Sequence, residues 1–204
     1  MPSPTIDRSV PLVLVGSSLG PESDEVVRSG LVGARDAAGR LVLLHVLEPQ
    51  GEVAAGLLAF PMVREGLFAA SREQLAAQLR RLGALSCDVA EVGVELPPVD
   101  TQLLAAADRL QPRVLVVGAN RDDPPSLRLG PVAARVLRRS RWPVWLVKGR
   151  ASAMPSVYVF EKDEPGERER MLSLAREAEC SLMIVPAPSE VISGPFAACP
   201  PHGG

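Results

Sequence analysis

The chain has 204 residues, 47% of them hydrophobic and 23% charged, with 22 basic against 24 acidic side chains and a formal charge of −2. That is enough apolar material for a packed core, which excludes a disordered tail. The near-neutral balance argues against a nucleic-acid partner, and no apolar run approaches the roughly 18 residues that span a bilayer, so no membrane insertion is expected.

Residues 11–15 (Pro-Leu-Val-Leu-Val) form a continuous apolar run that stops at Gly16-Ser-Ser-Leu-Gly-Pro, the pattern of a buried strand and its exit loop. Val26, Val27, Leu31, Val32 and Ala34 then predict a helix over 23–38, with Ser23 as N-cap and Gly39 as its stop. Residues 41–47 (Leu-Val-Leu-Leu-His-Val-Leu) read as a second buried strand. Over 48–66, Gly51, Gly56, Pro61 and Gly66 break the pattern, which predicts a loop with a helical turn in it. Leu67, Phe68, Leu75, Ala76, Leu79 and Leu82 mark an amphipathic helix ended by Gly83. Residues 89–96 alternate apolar and polar, as in a less buried strand.

Pro97-Pro98 breaks the chain before a helix over 99–110, capped by Asp100 or Thr101. Residues 113–117 are a fourth strand ending at Gly118, and 119–129 a loop. A helix over 130–140 carries Pro131 at its first position. Residues 143–147 (Pro143-Val-Trp-Leu-Val147) are a fifth strand, with Val144 and Leu146 on one face and Trp145 and Val147 on the other. Alternating strands and helices imply parallel βαβ units, whose ligands sit beyond the carboxyl ends of the strands where strand order reverses.

Four stretches carry a resemblance: Val13-Leu-Val-Gly-Ser-Ser-Leu-Gly-Pro-Glu-Ser, Leu43-Leu-His-Val, Val116-Val-Gly, and Gly130-Pro-Val-Ala-Ala-Arg-Val-Leu with Trp142-Pro-Val-Trp-Leu-Val. In order and spacing they resemble the universal stress protein family over residues 11–148. The resemblance implies an α/β fold of the Rossmann-like, adenine nucleotide alpha hydrolase-like kind. Its five-stranded parallel sheet has the order 3-2-1-4-5, within a domain of residues 1–150. It also implies a homodimer through the last strand, Pro143 to Val147. The rival readings are that Trp145 packs under a helix of its own domain, or that the C-terminal segment covers this edge, since an open edge must be paired or covered.

Many family members bind ATP through a G-x2-G-x9-G-S/T loop and an acidic residue after the first strand; others bind none. Here the loop starts at Gly118, but Arg121 stands at the second glycine, eight residues separate it from Gly130, Pro131 replaces the hydroxyl residue, and Ser18 stands at the acidic position. Arginine blocks the close backbone approach that glycine permits, and proline removes an N–H that an anion would use. Asp122 and Asp123 add negative charge beside the expected phosphate position. Tight ATP binding is therefore not expected, and no cofactor is assigned. The alternative keeps ATP with Mg2+, held by Arg121 and Arg128 side chains and by Asp122.

The expected ligand site, if the chain has one, comprises Ser17, Ser18 and Leu19 after the first strand, Val46 on the second, and Gly118, Arg121, Arg128, Gly130 and Val132 from the fourth strand to the following helix. No catalytic or metal-binding residue is assigned. His45 reads as a packed strand-end histidine and His202 as tail. Ser17 and Ser18 read as turn and cap residues, and no HExxH or P-loop motif occurs. Three widely spaced cysteines, Cys87, Cys180 and Cys199, form no CxxC pair, and the first residues form no secretory leader, so a cytoplasmic location is expected.

After a linker, 157–160, 167–179 and 182–185 read as strand, helix and strand, a β-α-β extension within residues 151–204, with 186–204 irregular. Met171-Leu-Ser-Leu-Ala and Leu182-Met-Ile-Val-Pro-Ala follow the pattern of Leu103-Leu-Ala-Ala-Ala and Val114-Leu-Val-Val-Gly-Ala. A truncated second copy and a chance likeness both account for this. Either way so small a unit must dock on something larger. The expected role is regulatory or stress-responsive and non-enzymatic, through a small ligand or an unidentified protein partner. The alternatives are a nucleotide-dependent ATP switch and an interaction module whose cleft is filled by its own side chains.

Overall fold

The apolar run after Pro11 becomes β1 (Leu12–Ser17), and its alternate side chains feed two separate cores: Leu12 and Leu14 face one way, Val13 and Val15 the other. The computed structural model describes residues 9–49, 51–119, 129–148, 155–160, 166–177 and 181–186. Around β1 the elements follow as α1 (Ser23–Asp36), β2 (Arg40–Val46), α2 (Gly51–Leu57), α3 (Pro61–Arg81), β3 (Val89–Glu95), α4 (Val99–Leu110), β4 (Val114–Gly118), α5 (Pro131–Arg139), β5 (Val144–Val147), β6 (Ser156–Phe160), α6 (Glu167–Glu177) and β7 (Leu182–Pro186).

All these strands lie in one sheet of order β3-β2-β1-β4-β5-β7-β6. Its first five strands are parallel, in the expected order 3-2-1-4-5. One face packs against α4, α5 and α6, the other against α1 and α3. β1, β2, β4 and β5 are apolar on both faces because helices cover both; β3, at the edge, is only partly buried, as its alternation predicts. Fully buried Leu14, Leu43, Leu115 and Leu146 each contribute on the order of 2 kcal/mol from area alone.

Several boundaries differ from expectation. Residues 48–66 hold α2 and the first turns of α3, which starts at Pro61 rather than Leu67, because proline suits a first helical position. Ser23 is not the cap of α1; Glu22 takes that place, and the Ser23 hydroxyl donates to the Gly20 carbonyl at 2.7 Å. Neither Asp100 nor Thr101 caps α4, which is preceded by Pro98. Asp100 is instead buried in the first turn, where it accepts hydrogen bonds from Arg135 Nε at 3.0 Å and Arg139 Nη1 at 2.8 Å and so ties α4 to α5. The last strands and helix match their expected positions to within two residues. The irregular reading of the tail from 187 onward lies outside the described residues.

The C-terminal unit decides the fate of the β5 edge. β7 runs antiparallel to β5 and pairs Val144 with Ile184, Trp145 with Met183, and Leu146 with Leu182. The edge expected to join two subunits through Pro143 to Val147 is therefore occupied within the chain, and that route to a dimer is closed. The reason is physical: Met171, Leu172 and Ala175 of α6 bury against the core shared with α5, and two short strands with one helix find no other cover for their apolar faces. Ser181 fastens the junction. Its hydroxyl accepts from the Lys148 amide at 3.0 Å and donates to the Lys148 carbonyl at 3.1 Å, while Lys148 Nζ donates to the Ala175 carbonyl at 2.7 Å.

Trp145 packs under its own domain, against α1 and not a second subunit. A Cβ on Gly33 would come within 3.0 Å of its ring, and one on Gly30 within 2.3 Å of Val15 Cγ2. Glycine at these two helical positions lets α1 lie close on the sheet. Among the described residues, no helix is long and apolar enough to cross a membrane.

Candidate functional site

β1 has β2 on one side and β4 on the other, and the chain leaves it toward β2 but reaches β4 only after β3, so the strand order reverses at β1. The exit loops diverge there and leave a cleft at the carboxyl ends of the strands. The cavity measures about 140 Å³. Six of the residues expected from the sequence line it: Ser17, Ser18, Val46, Gly118, Gly130 and Val132. Arg121 and Arg128 lie outside the described residues.

The walls are chiefly aliphatic. Val26 comes from α1, Leu44 from β2, Val99 and Leu103 from α4, and Val117 from β4. Gly16 opens the floor: a Cβ there would stand 3.1 Å from Leu103 Cδ2. Two backbone bonds close the base of the loop after β4, from the Gly130 amide to the Ala119 carbonyl at 2.7 Å and from the Ala119 amide to the Val147 carbonyl at 3.0 Å. Gly130 caps α5 with no side chain, and Pro131 follows as its first residue, so that helix lacks both a hydroxyl cap and one N–H where it meets the cleft.

The two serines serve different ends. Ser17 is buried, and its hydroxyl donates to Gln78 Oε1 at 2.9 Å and lies 3.2 Å from Ser23 Oγ. Gln78 Nε2 donates to Ser23 Oγ and to Asp24 Oδ1, both at 2.8 Å, and Arg81 Nη2 donates to Asp24 Oδ1 at 2.7 Å. The wall after β1 is thus bolted to α3 by a polar chain, buried at Ser17, Ser23 and Gln78 and open to solvent at Arg81, whose members all find partners. Burial pushes the Asp24 carboxyl up, but hydrogen bonds from Arg81 and Gln78 outweigh it and hold its pKa below the ordinary 3.8.

Ser18 is exposed and donates to Glu22 Oε1 at 2.8 Å. That carboxylate folds over Gly20, whose missing Cβ would fall 2.0 Å from Oε1. His45 is buried, and its Nδ1 donates to the Ser17 carbonyl at 2.8 Å, the packed strand-end role its position suggests.

Sequence reasoning missed Gln78, Glu22 and Glu48. The last two line the cleft, and among its described lining residues there is no lysine or arginine. Gln78 left one usable trace, since it falls between Leu75 and Leu79 on the buried stripe of α3, where a polar residue needs a partner. Glu22 and Glu48 left none, because exposed loop carboxylates are common and only the folded chain brings these two to one opening. Among the described residues, no group of three or more His, Cys, Asp or Glu is placed to hold a metal ion.

Comparison with known proteins bears on the whole arrangement. The profile of the universal stress protein family matches residues 12–148. No curated protein matches significantly. Among solved structures, the chain is similar to universal stress protein UspA from Lactobacillus plantarum, at 12% identity and a TM-score of 0.56 over 68% of this chain and 98% of that one. It is similar also to the hypothetical proteins PH0823 and MJ0577, each at 16% identity over 71% of this chain and 99% of the other, with TM-scores of 0.52 and 0.51.

Proposed function

The chain belongs to the universal stress protein family, and on that footing we propose that it is a non-enzymatic stress-response regulator that works by holding a small ligand in the cleft beyond β1, β2 and β4, without tight binding of ATP. One observation carries the reading: the cleft is an open aliphatic cavity with Ser18 and Glu22 in its polar lining and a proline-headed helix beside it. Catalysis is not what such walls are suited to. Ser17 is spent on Gln78 and His45 on a backbone carbonyl, so neither is poised as nucleophile or base.

In this reading the cleft is not a triphosphate cradle. Backbone N–H groups at a helix start are the usual cradle for phosphate, and Pro131 deletes one of them. Glu22 stands in the lining, where an incoming phosphate meets like charge. Signal output in this reading passes to a partner protein that senses whether the cleft is filled.

Thermal unfolding of the full chain with and without millimolar ATP and Mg2+ tests the exclusion. No saturable rise in Tm is expected. A saturable rise overturns it and favours the nucleotide-dependent switch.

A further inference from the structure

We propose that the end of α2 and the N-terminal half of α3 form the surface through which two copies of this chain associate, with their α3 helices antiparallel about a two-fold axis. Eight large hydrophobic side chains are exposed among the described residues, and five of them fall within residues 57–67: Leu57, Phe60, Met62, Val63 and Leu67. Met62 is 86% exposed and Phe60 61%. Helical turns that stand in water are ordinarily polar on their open side. These carry an apolar patch of the few hundred Å² at which exposed surface marks an interaction site. The other three exposed side chains, Val32, Leu85 and Val157, each stand on a different element, so no second cluster of five forms.

The pattern along α3 names the occupant. Phe60, Val63, Leu67, Ala70 and Gln74 recur at alternating spacings of three and four, so they make one stripe on the helix, and all five are exposed. The bulk lies at its N-terminal end. Two such helices laid antiparallel, with the axis passing between Phe68 and Ala69, set Leu67 of each copy opposite Ala70 of the other. Bulk then meets a small side chain twice, which is what close packing of facing helices asks for. Gly66 borders the stripe, and a Cβ there would meet nothing within 4 Å, so the second helix has room to approach. Charge agrees. Arg64, Glu65, Arg72 and Glu73 balance one another, so two copies do not repel and a strongly acidic or basic partner gains nothing here. A copy that docks on the same patch makes an isologous contact, which closes at two subunits. The stripe is about 21 Å long. A contact of that length covers about 1,000 Å² in total, at the low end for specific association, so the dimer is reversible and of micromolar affinity. It does not involve the β5 edge, which β7 occupies.

Sedimentation equilibrium of the full chain, from micromolar to sub-millimolar concentration, tests the proposal. A reversible monomer–dimer equilibrium is expected. Val63→Glu and Leu67→Glu, both at exposed positions, are each expected to raise the dissociation constant about ten-fold or more. Their circular dichroism and Tm are expected to match those of the wild type at a concentration where the chain is monomeric. Val157→Glu, at an exposed position on β6, is expected to leave association unchanged, as is removal of residues 187–204. A chain that stays monomeric throughout overturns the proposal, and so does a dimer that survives Val63→Glu and Leu67→Glu combined. Loss of the dimer in Val157→Glu overturns it in favour of pairing through the β6 edge. Association that appears only after residues 187–204 are removed overturns it in favour of the chain's own tail as the cover of this patch.

Discussion

At the scale of single residues, Gln78 holds the cleft wall in place. Its amide satisfies Ser17, Ser23 and Asp24 at once from a helix more than fifty residues away in sequence. Gln78→Leu keeps the volume but leaves the Ser17 and Ser23 hydroxyls without that partner in a buried setting, which costs about 1–3 kcal/mol. Urea unfolding is expected to show that loss, and a variant as stable as the wild type contradicts the assigned role. Asp24 adds a pH dependence. Its pKa is lowered on folding, so the stability it contributes is fully present above its ordinary value and disappears as pH falls through the lower folded one. Asp88 behaves alike, held down by the Arg35 guanidinium and the Leu85 amide. Stability measured by urea titration is expected to be level from neutrality to about pH 5 and to fall below about pH 4. In Asp24→Asn that fall is expected to be shallower.

At the scale of elements, the informative ones are β7 and α3. Among the described strands, β7 makes the sheet antiparallel at one seam, against β5. Ile184 is 1% exposed at that seam, and it shares a core with Leu146 and Leu172. Ile184→Asp places an unpaired carboxylate there, at a cost of about 3 kcal/mol or more. Hydrogen exchange is expected to speed at the amides of β5 while those of β1 and β4 stay slow, because of these three strands only β5 pairs with β7. Equal protection of β5 in variant and wild type argues that β7 does not seal the edge. α3 explains a misplaced boundary. Its buried residues Ser71, Leu75, Gln78 and Leu79 all lie from its midpoint onward, while Met62, Val63 and Leu67 in the first half are exposed. Periodicity marks a helix by the side chains it buries, so it reveals the covered half and leaves the uncovered turns looking like loop.

At the scale of the whole molecule, the family's parallel sheet is legible in the amino-acid sequence. Four strands are apolar on both faces, and only a sheet covered by helices on both sides asks for that. Ser17, Ser18, Val46, Gly118, Gly130 and Val132 can be placed at one opening because a sheet of this topology collects its exit loops at the reversal of strand order. The order of residues suffices for these features, since strand periodicity and loop position are local properties that the chain carries wherever it goes. Other features came into being only when the chain folded: the β5 edge pairs with Leu182 to Ile184, Gln78 reaches Ser17 across 61 positions, and Glu22 and Glu48 share a rim. These are encounters between distant segments, and what selects them is the burial of surfaces that no single segment can cover.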